Sequence, residues 1–109
     1  MSVGLRRHQR FLRTRAIKIS VKVSESSAIR VSASVKTSRR GHALRFRRVS
    51  RNLAAGKRVT LRLRLSKSSL RKLRRAFRHH RSFIANITVT AHDAAGNSGS
   101  RRRAVRLLR

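Results

Sequence analysis

From residue 16 onward the chain alternates apolar and polar side chains with a period of two, and that rhythm limits the fold more than anything else in the sequence. In AIKISVKV, Ile17, Ile19, Val21 and Val23 fall on one side and Lys18, Ser20 and Lys22 on the other. Successive strand residues point to opposite faces, so this is the pattern of a half-buried strand. After the turn letters SESS it resumes in AIRVSASVK, with Ile29, Val31, Ala33 and Val35 inward and Arg30, Ser32, Ser34 and Lys36 outward. The two segments are expected to form an antiparallel pair. A third strand spans about 43–49 with Leu44 and Phe46 inward, and Arg47 and Arg48 break its alternation, which marks a bulge or an edge. Following NLAAGK, the segment VTLRLRL alternates Val59, Leu61, Leu63 and Leu65 with Thr60, Arg62 and Arg64.

At SKSSLRKLRRAFRHH the period lengthens to about 3.6, with Leu70, Leu73 and Phe77 in line and Ser66 or Ser68 available as cap, so one helix of about three turns is expected. Two strands follow, FIANITVTA with Phe83, Ala85, Ile87 and Val89 inward, and RRAVRLL with Val105 and Leu107 inward. About six strands and one short helix before the last two predict an all-β antiparallel sandwich. The assignment is a basic flexible leader over 1–15 and a single sandwich domain over 16–109, since 109 residues do not supply two cores. Trp, Tyr and Cys are absent and Phe is the only aromatic, so the core is aliphatic and no thiolate chemistry is open. Of the four Phe, Phe11 alone falls outside the expected core faces.

The chain carries 31 Lys and Arg against two acids, a formal net charge of +29, and 25 of the cations are Arg. A GC-rich genome favours Arg over Lys without selection for binding, but it does not remove acids, so a polyanionic environment is the stronger reading. Candidate polyanion contacts are Arg39, Arg40, Arg45, Arg47, Arg48 and Arg51 in one segment, and Arg71, Arg74, Arg75 and Arg78 along the helix. One stretch, 83–100, has no Lys or Arg. Its outward row, Ile84, Asn86, Thr88 and Thr90, is explained if this strand runs mid-sheet between arginine-bearing neighbours. In HDAAGNSG, Asp93 is placed to accept amide hydrogen bonds of its own type I turn, with Gly96 in the left-handed position and Asn97 after it.

The order of features resembles the immunoglobulin-like β-sandwich modules found near the ends of large secreted or surface proteins of GC-rich actinobacteria, which carry a D-x-x-G-N signature in the last hairpin. The matching residues are Asp93, Gly96 and Asn97, the segment LAAGKRVTLRLRLS at 53–66, and the Leu70, Leu73, Phe77 helix. Members often carry two cysteines around the first turn, where this chain has Ser24, Glu25, Ser26 and Ser27. The first strand of such modules is missing from the expected pattern, its place taken by the basic leader, which suggests a piece of a longer parent or a start assigned too late. The resemblance implies a passive or adhesive module outside the cytoplasm, with neighbouring domains of that parent as partners.

Enzymatic readings fail on inventory. General acid–base work needs a titratable group set against a partner, and Glu25 and Asp93 belong to turns far apart in sequence. His92 and Asp93 are neighbours on a strand and face opposite ways. His79 and His80 do not share a metal as an i, i+4 pair does, and Asp93 with Asn97 falls short of the oxygen set calcium needs. The sequon at Asn86 lies in a strand and is a chance match. The sequence thus implies no catalytic residue, no metal and no cofactor. No apolar run approaches membrane-spanning length, and the N-terminal letters lack the hydrophobic segment of an export signal. Two functions lead, ahead of a membrane-active cationic protein. The first is a noncatalytic extracytoplasmic module touching anionic cell-wall or surface polymers. The second is a nonspecific nucleic-acid-binding or ribosome-associated protein, whose affinity would fall steeply with salt.

Overall fold

Alternation becomes burial in the computed structural model, which describes residues 1–37 and 43–109. In β3 (Ile17–Lys22) the odd-numbered residues are buried and the lysines exposed, and β4 (Ser27–Val35) repeats the pattern with Ile29, Val31, Ala33 and Val35 inside. Among the described residues there are nine strands and two helices. Beyond β3 and β4 the strands are β1 (Ser2–Gly4), β2 (His8–Arg10), β5 (Leu44–Arg45), β6 (Val49–Leu53), β7 (Arg58–Leu63), β8 (Ser82–Asp93) and β9 (Ser98–Leu108). The helices are α1 (Phe11–Thr14) and α2 (Lys67–Ala76).

The strands form two layers. A three-stranded sheet runs β1-β3-β7, and a larger sheet runs β2-β9-β8-β4-β5, with β6 also pairing β4. All pairings are antiparallel except β2 with β9. The core between them is aliphatic apart from Phe11, Phe46, Phe77 and Phe83, and no polar or charged residue among those described is buried. That arrangement avoids the cost of desolvating a guanidinium without a partner.

Three expectations need correction. The segments 16–23 and 28–36 are not paired. β3 has β1 and β7 on its two edges, whereas β4 has β8 on one side and β5 and β6 on the other. The short link 23–26 carries the chain over the end of the sandwich to the opposite sheet. Each strand still turns its apolar face inward, so the alternation is the same for a hairpin and for this crossing. The third strand is likewise two, β5 and β6, separated by residues 46–48, where the Arg47 amide donates to the Arg64 carbonyl at 2.8 Å instead of staying within its own sheet.

The third correction concerns the leader. Residues 1–15 are not a flexible arm. β1 pairs with β3 at one end, the chain crosses between sheets, and β2 lies parallel to β9. The Gln9 side chain replaces the lost strand partner there, accepting from the Lys18 amide at 2.9 Å and donating to the Lys18 carbonyl at 3.0 Å. Phe11 then begins α1 and is fully buried, meeting Phe46 edge to face at 5.7 Å. The left-handed Arg15 (φ 59°) ends the helix and turns the chain into β3. α1 is the second helix that the 3.6 periodicity did not announce, because four residues make only one turn.

α2 lies between β7 and β8. The Ser66 hydroxyl accepts from the Ser69 amide at 3.3 Å, capping its first turn, and Leu73 and Phe77 are buried below it. Phe77 and Phe83 meet edge to face at 5.0 Å, which ties the end of the helix to the start of β8.

Candidate functional site

The turn that joins β8 to β9 shows how the sequence shapes its own ends. Gly96 sits at φ +84°, where a Cβ is strained, and the Gly96 amide donates to the Asp93 carbonyl at 3.2 Å. One Asp93 carboxylate oxygen accepts from the Asn97 amide at 2.8 Å and the Ala95 amide at 3.0 Å, and the other from the Asn97 side-chain amide at 3.2 Å. The Asn97 backbone bond is the largest influence holding the Asp93 pKa below its ordinary value; the Asn97 side chain, Glu25 and Ala95 add to it, against a desolvation that raises it. Glu25 therefore stands close to Asp93. The two acids come from turns far apart in sequence, but the β4–β8 register, Ser27 opposite Asp93, brings those turns to one end of the sandwich. His92 faces outward on β8 and is exposed. Among the described residues no three His, Asp or Glu side chains gather as a metal site.

The candidate arginines lie on separate elements. Arg39 and Arg40 lie outside the described residues. Arg45 is exposed on β5 opposite Ser34. Arg47 and Arg48 occupy the crossing between β5 and β6, and Arg51 lies on the sandwich-facing side of β6, opposite Ile29, yet reaches solvent. Arg71, Arg74 and Arg75 are exposed along one flank of α2, whose buried side holds Leu73, and Arg78 is exposed in the turn just past the buried C-cap Phe77. Helical spacing places Arg71, Arg74 and Arg75 in one stripe.

A different set meets on the outer face of the larger sheet. Along β8, Asn86, Thr88 and Thr90 point outward without charge. Register puts Ser34, Ser32 and Arg30 of β4 beside them on one side and Ala104, Arg102 and Ser100 of β9 on the other. Arg106 stands opposite Ile84. With strands about 4.8 Å apart, the backbones bearing Arg30 and Arg102 are separated by about 10 Å across β8. Two shallow depressions lie in this face. One, of about 170 Å³, is bounded by Arg30, Ser32, Arg48, Thr88 and Thr90. The other, of about 470 Å³, is bounded by Asn86, Thr88, Arg102 and Ala104 among others. Thr88 belongs to both, so together they form a trough that follows the neutral row from Asn86 to Thr90, with Arg30 on one side and Arg102 on the other.

Arg30, Arg102 and Arg106 were missed by sequence reasoning. The signal that pointed toward them was the uncharged row of β8, which requires charged neighbours to be worth keeping uncharged. Two further arginines, Arg101 and Arg103, sit opposite Val89 and Ile87 on the side facing the smaller sheet but remain exposed, because that sheet is too narrow to cover them. They guard the part of the β9 edge that β2, which reaches only Arg106–Leu108, leaves without a strand partner.

A concavity of about 850 Å³ lies where the N-terminal segment crosses between the sheets, with Arg6, Arg10, Arg13 and Lys18 on its walls and Leu5 and Ile19 among its apolar lining. Gln9 lines it and joins its walls, donating to the Arg6 carbonyl at 3.1 Å as well as bonding to the Lys18 backbone. No helix of the described residues is long and apolar enough to cross a membrane. Comparison with known proteins finds no matching family model, no matching curated protein and no matching solved structure.

Proposed function

We propose that this chain is a noncatalytic immunoglobulin-like module of an extracytoplasmic protein, and that it contacts anionic polymers through surface arginines. The observation that carries the reading is the partition of the molecule: an apolar interior closed by two sheets, with the described cations outside it. The strand order supports the immunoglobulin-like part. An N-terminal strand split between the sheets, a first sheet of β1-β3-β7 and a second of β2-β9-β8-β4-β5 correspond to an A-B-E layer facing an A′-G-F-C-C′ layer. The absence of catalysis is supported by the use of Asp93, whose oxygens are engaged by its own turn.

Burial weighs against the nucleic-acid alternative. Single-strand binders stack bases on exposed aromatics, whereas Phe11, Phe46, Phe77 and Phe83 are 8% exposed or less. Purified, nuclease-treated protein is to be titrated calorimetrically with polygalacturonate, polyphosphate, single-stranded RNA and neutral dextran over a range of salt. Binding of the anionic polymers that weakens steeply with salt, and no binding of dextran, is the expected result. Absence of polyanion binding at about 0.1 M salt, where the screening length is about 10 Å, would remove the ligand half of the reading. RNA that stays with the protein through moderate salt would favour the alternative.

A further inference from the structure

The outer face of the larger sheet combines two properties that a general basic surface lacks. Its middle is an uncharged row of hydroxyl and amide side chains, Asn86, Thr88 and Thr90 of β8 with Ser32 of β4 beside them. Its banks are arginine on both sides, Arg30 and Arg48 on one and Arg102 and Arg106 on the other. Relief of repulsion accounts for the missing arginines on β8. The side chains in their place give the trough its chemistry.

We propose that this trough binds one linear acidic glycan, a chain of uronate residues lying along β8, with its ring hydroxyls on the hydroxyl–amide row and its carboxylates held by the flanking arginines. The inference rests on the polyanion reading above and specifies its face and ligand. Charge complementarity selects an anion, and width selects a single chain, because the strands bearing Arg30 and Arg102 are only about 10 Å apart across β8. The planar guanidinium fork matches a carboxylate with two parallel hydrogen bonds. Short donors and acceptors in the middle suit a polymer rich in hydroxyls. A nucleic-acid strand finds no aromatic platform here, and a lipid surface finds one exposed large apolar side chain, Ile84, to insert.

The test compares two variants of equal charge, using polygalacturonate as the probe and calorimetry as the readout. The trough variant carries Arg30→Ser, Arg48→Ser, Arg102→Ser and Arg106→Ser. The helix variant carries Arg71→Ser, Arg74→Ser, Arg75→Ser and Arg78→Ser. With each solvent-exposed ion pair contributing modestly, the trough variant is expected to bind about tenfold to a hundredfold more weakly and the helix variant within about threefold of the parent. A third variant, Asn86→Ala with Thr88→Val, leaves the charge and the strand pattern intact and is expected to weaken binding by roughly fivefold through lost hydrogen bonds. Circular dichroism of each variant checks the fold, and this uncharged pair keeps the test decisive if the fourfold substitution unfolds the sheet. Equal losses in the trough and helix variants would overturn the site while leaving the polyanion reading standing. Failure of the parent to bind any polyanion would remove both. Tighter binding of single-stranded RNA than of polygalacturonate, lost in the trough variant, would keep the face and overturn the glycan.

Discussion

Phe11→Ala tests whether the first fifteen residues belong to the folded domain. The Phe11 ring is fully buried and stands edge to face with Phe46 at 5.7 Å, an interplanar angle of 86°. Truncating a buried Phe costs about 3–5 kcal/mol, combining lost transfer energy with the cavity left behind. The aromatic pair supplies about 0.5–1.5 kcal/mol of that. At a urea m-value of about 2 kcal/mol/M, typical of small domains, a 4 kcal/mol loss lowers the unfolding midpoint by about 2 M. Urea unfolding followed by far-ultraviolet circular dichroism measures it, since the chain has no Trp or Tyr to report by fluorescence. A double-mutant cycle with Phe46→Ala is expected to return a coupling of about 0.5–1.5 kcal/mol. A loss below about 1 kcal/mol for Phe11→Ala, the size of an ordinary surface change, would refute the reasoning and return residues 1–15 to the status of a leader.

Gly96→Ala forces a Cβ into the left-handed region with no neighbouring atom within 4 Å to clash, so the cost is conformational, about 1–2 kcal/mol, read from the urea midpoint. Asp93→Ala is expected to lose stability that depends on pH. Because the folded pKa of Asp93 is depressed, its contribution is fully present above the ordinary Asp value of about 3.9 and disappears as pH falls through the lower folded value; the stability gap between parent and variant should close below about pH 4. A gap that stays constant through that window would contradict the hydrogen-bonded turn. Ser66→Ala removes the cap on α2 and is expected to cost about 1 kcal/mol, while Ser66→Asp should retain most of it.

The alternating segments were legible because the pleat is a local property: Ile17, Ile19 and Val21, or Phe83, Ala85, Ile87 and Val89, occupy inward positions whichever strand lies beside them. The β8–β9 turn was equally readable, since Asp93, Gly96 and Asn97 interact within a few residues of one another. Of the candidate surface, the sequence exposed the uncharged row on β8 and Arg48, but not Arg30, Arg102 and Arg106. Arg30 and Arg102 are 72 positions apart, and nothing in either segment records that β4 and β9 flank the same strand.

What the sequence determined alone is therefore the face each side chain takes and the short-range chemistry of its turns, because both are set by bond geometry and neighbours along the chain. The tertiary structure decided which strands share a sheet, sending β3 and β4 to opposite layers although their patterns are alike. It also drew residues 2–14 into the body, where Phe11 fills space between the layers and Gln9 completes the hydrogen bonding of Lys18. The proximity of Glu25 to Asp93 and the trough between arginine banks follow from those same long-range choices. Such pairings depend on closing the core as a whole, which no local period encodes.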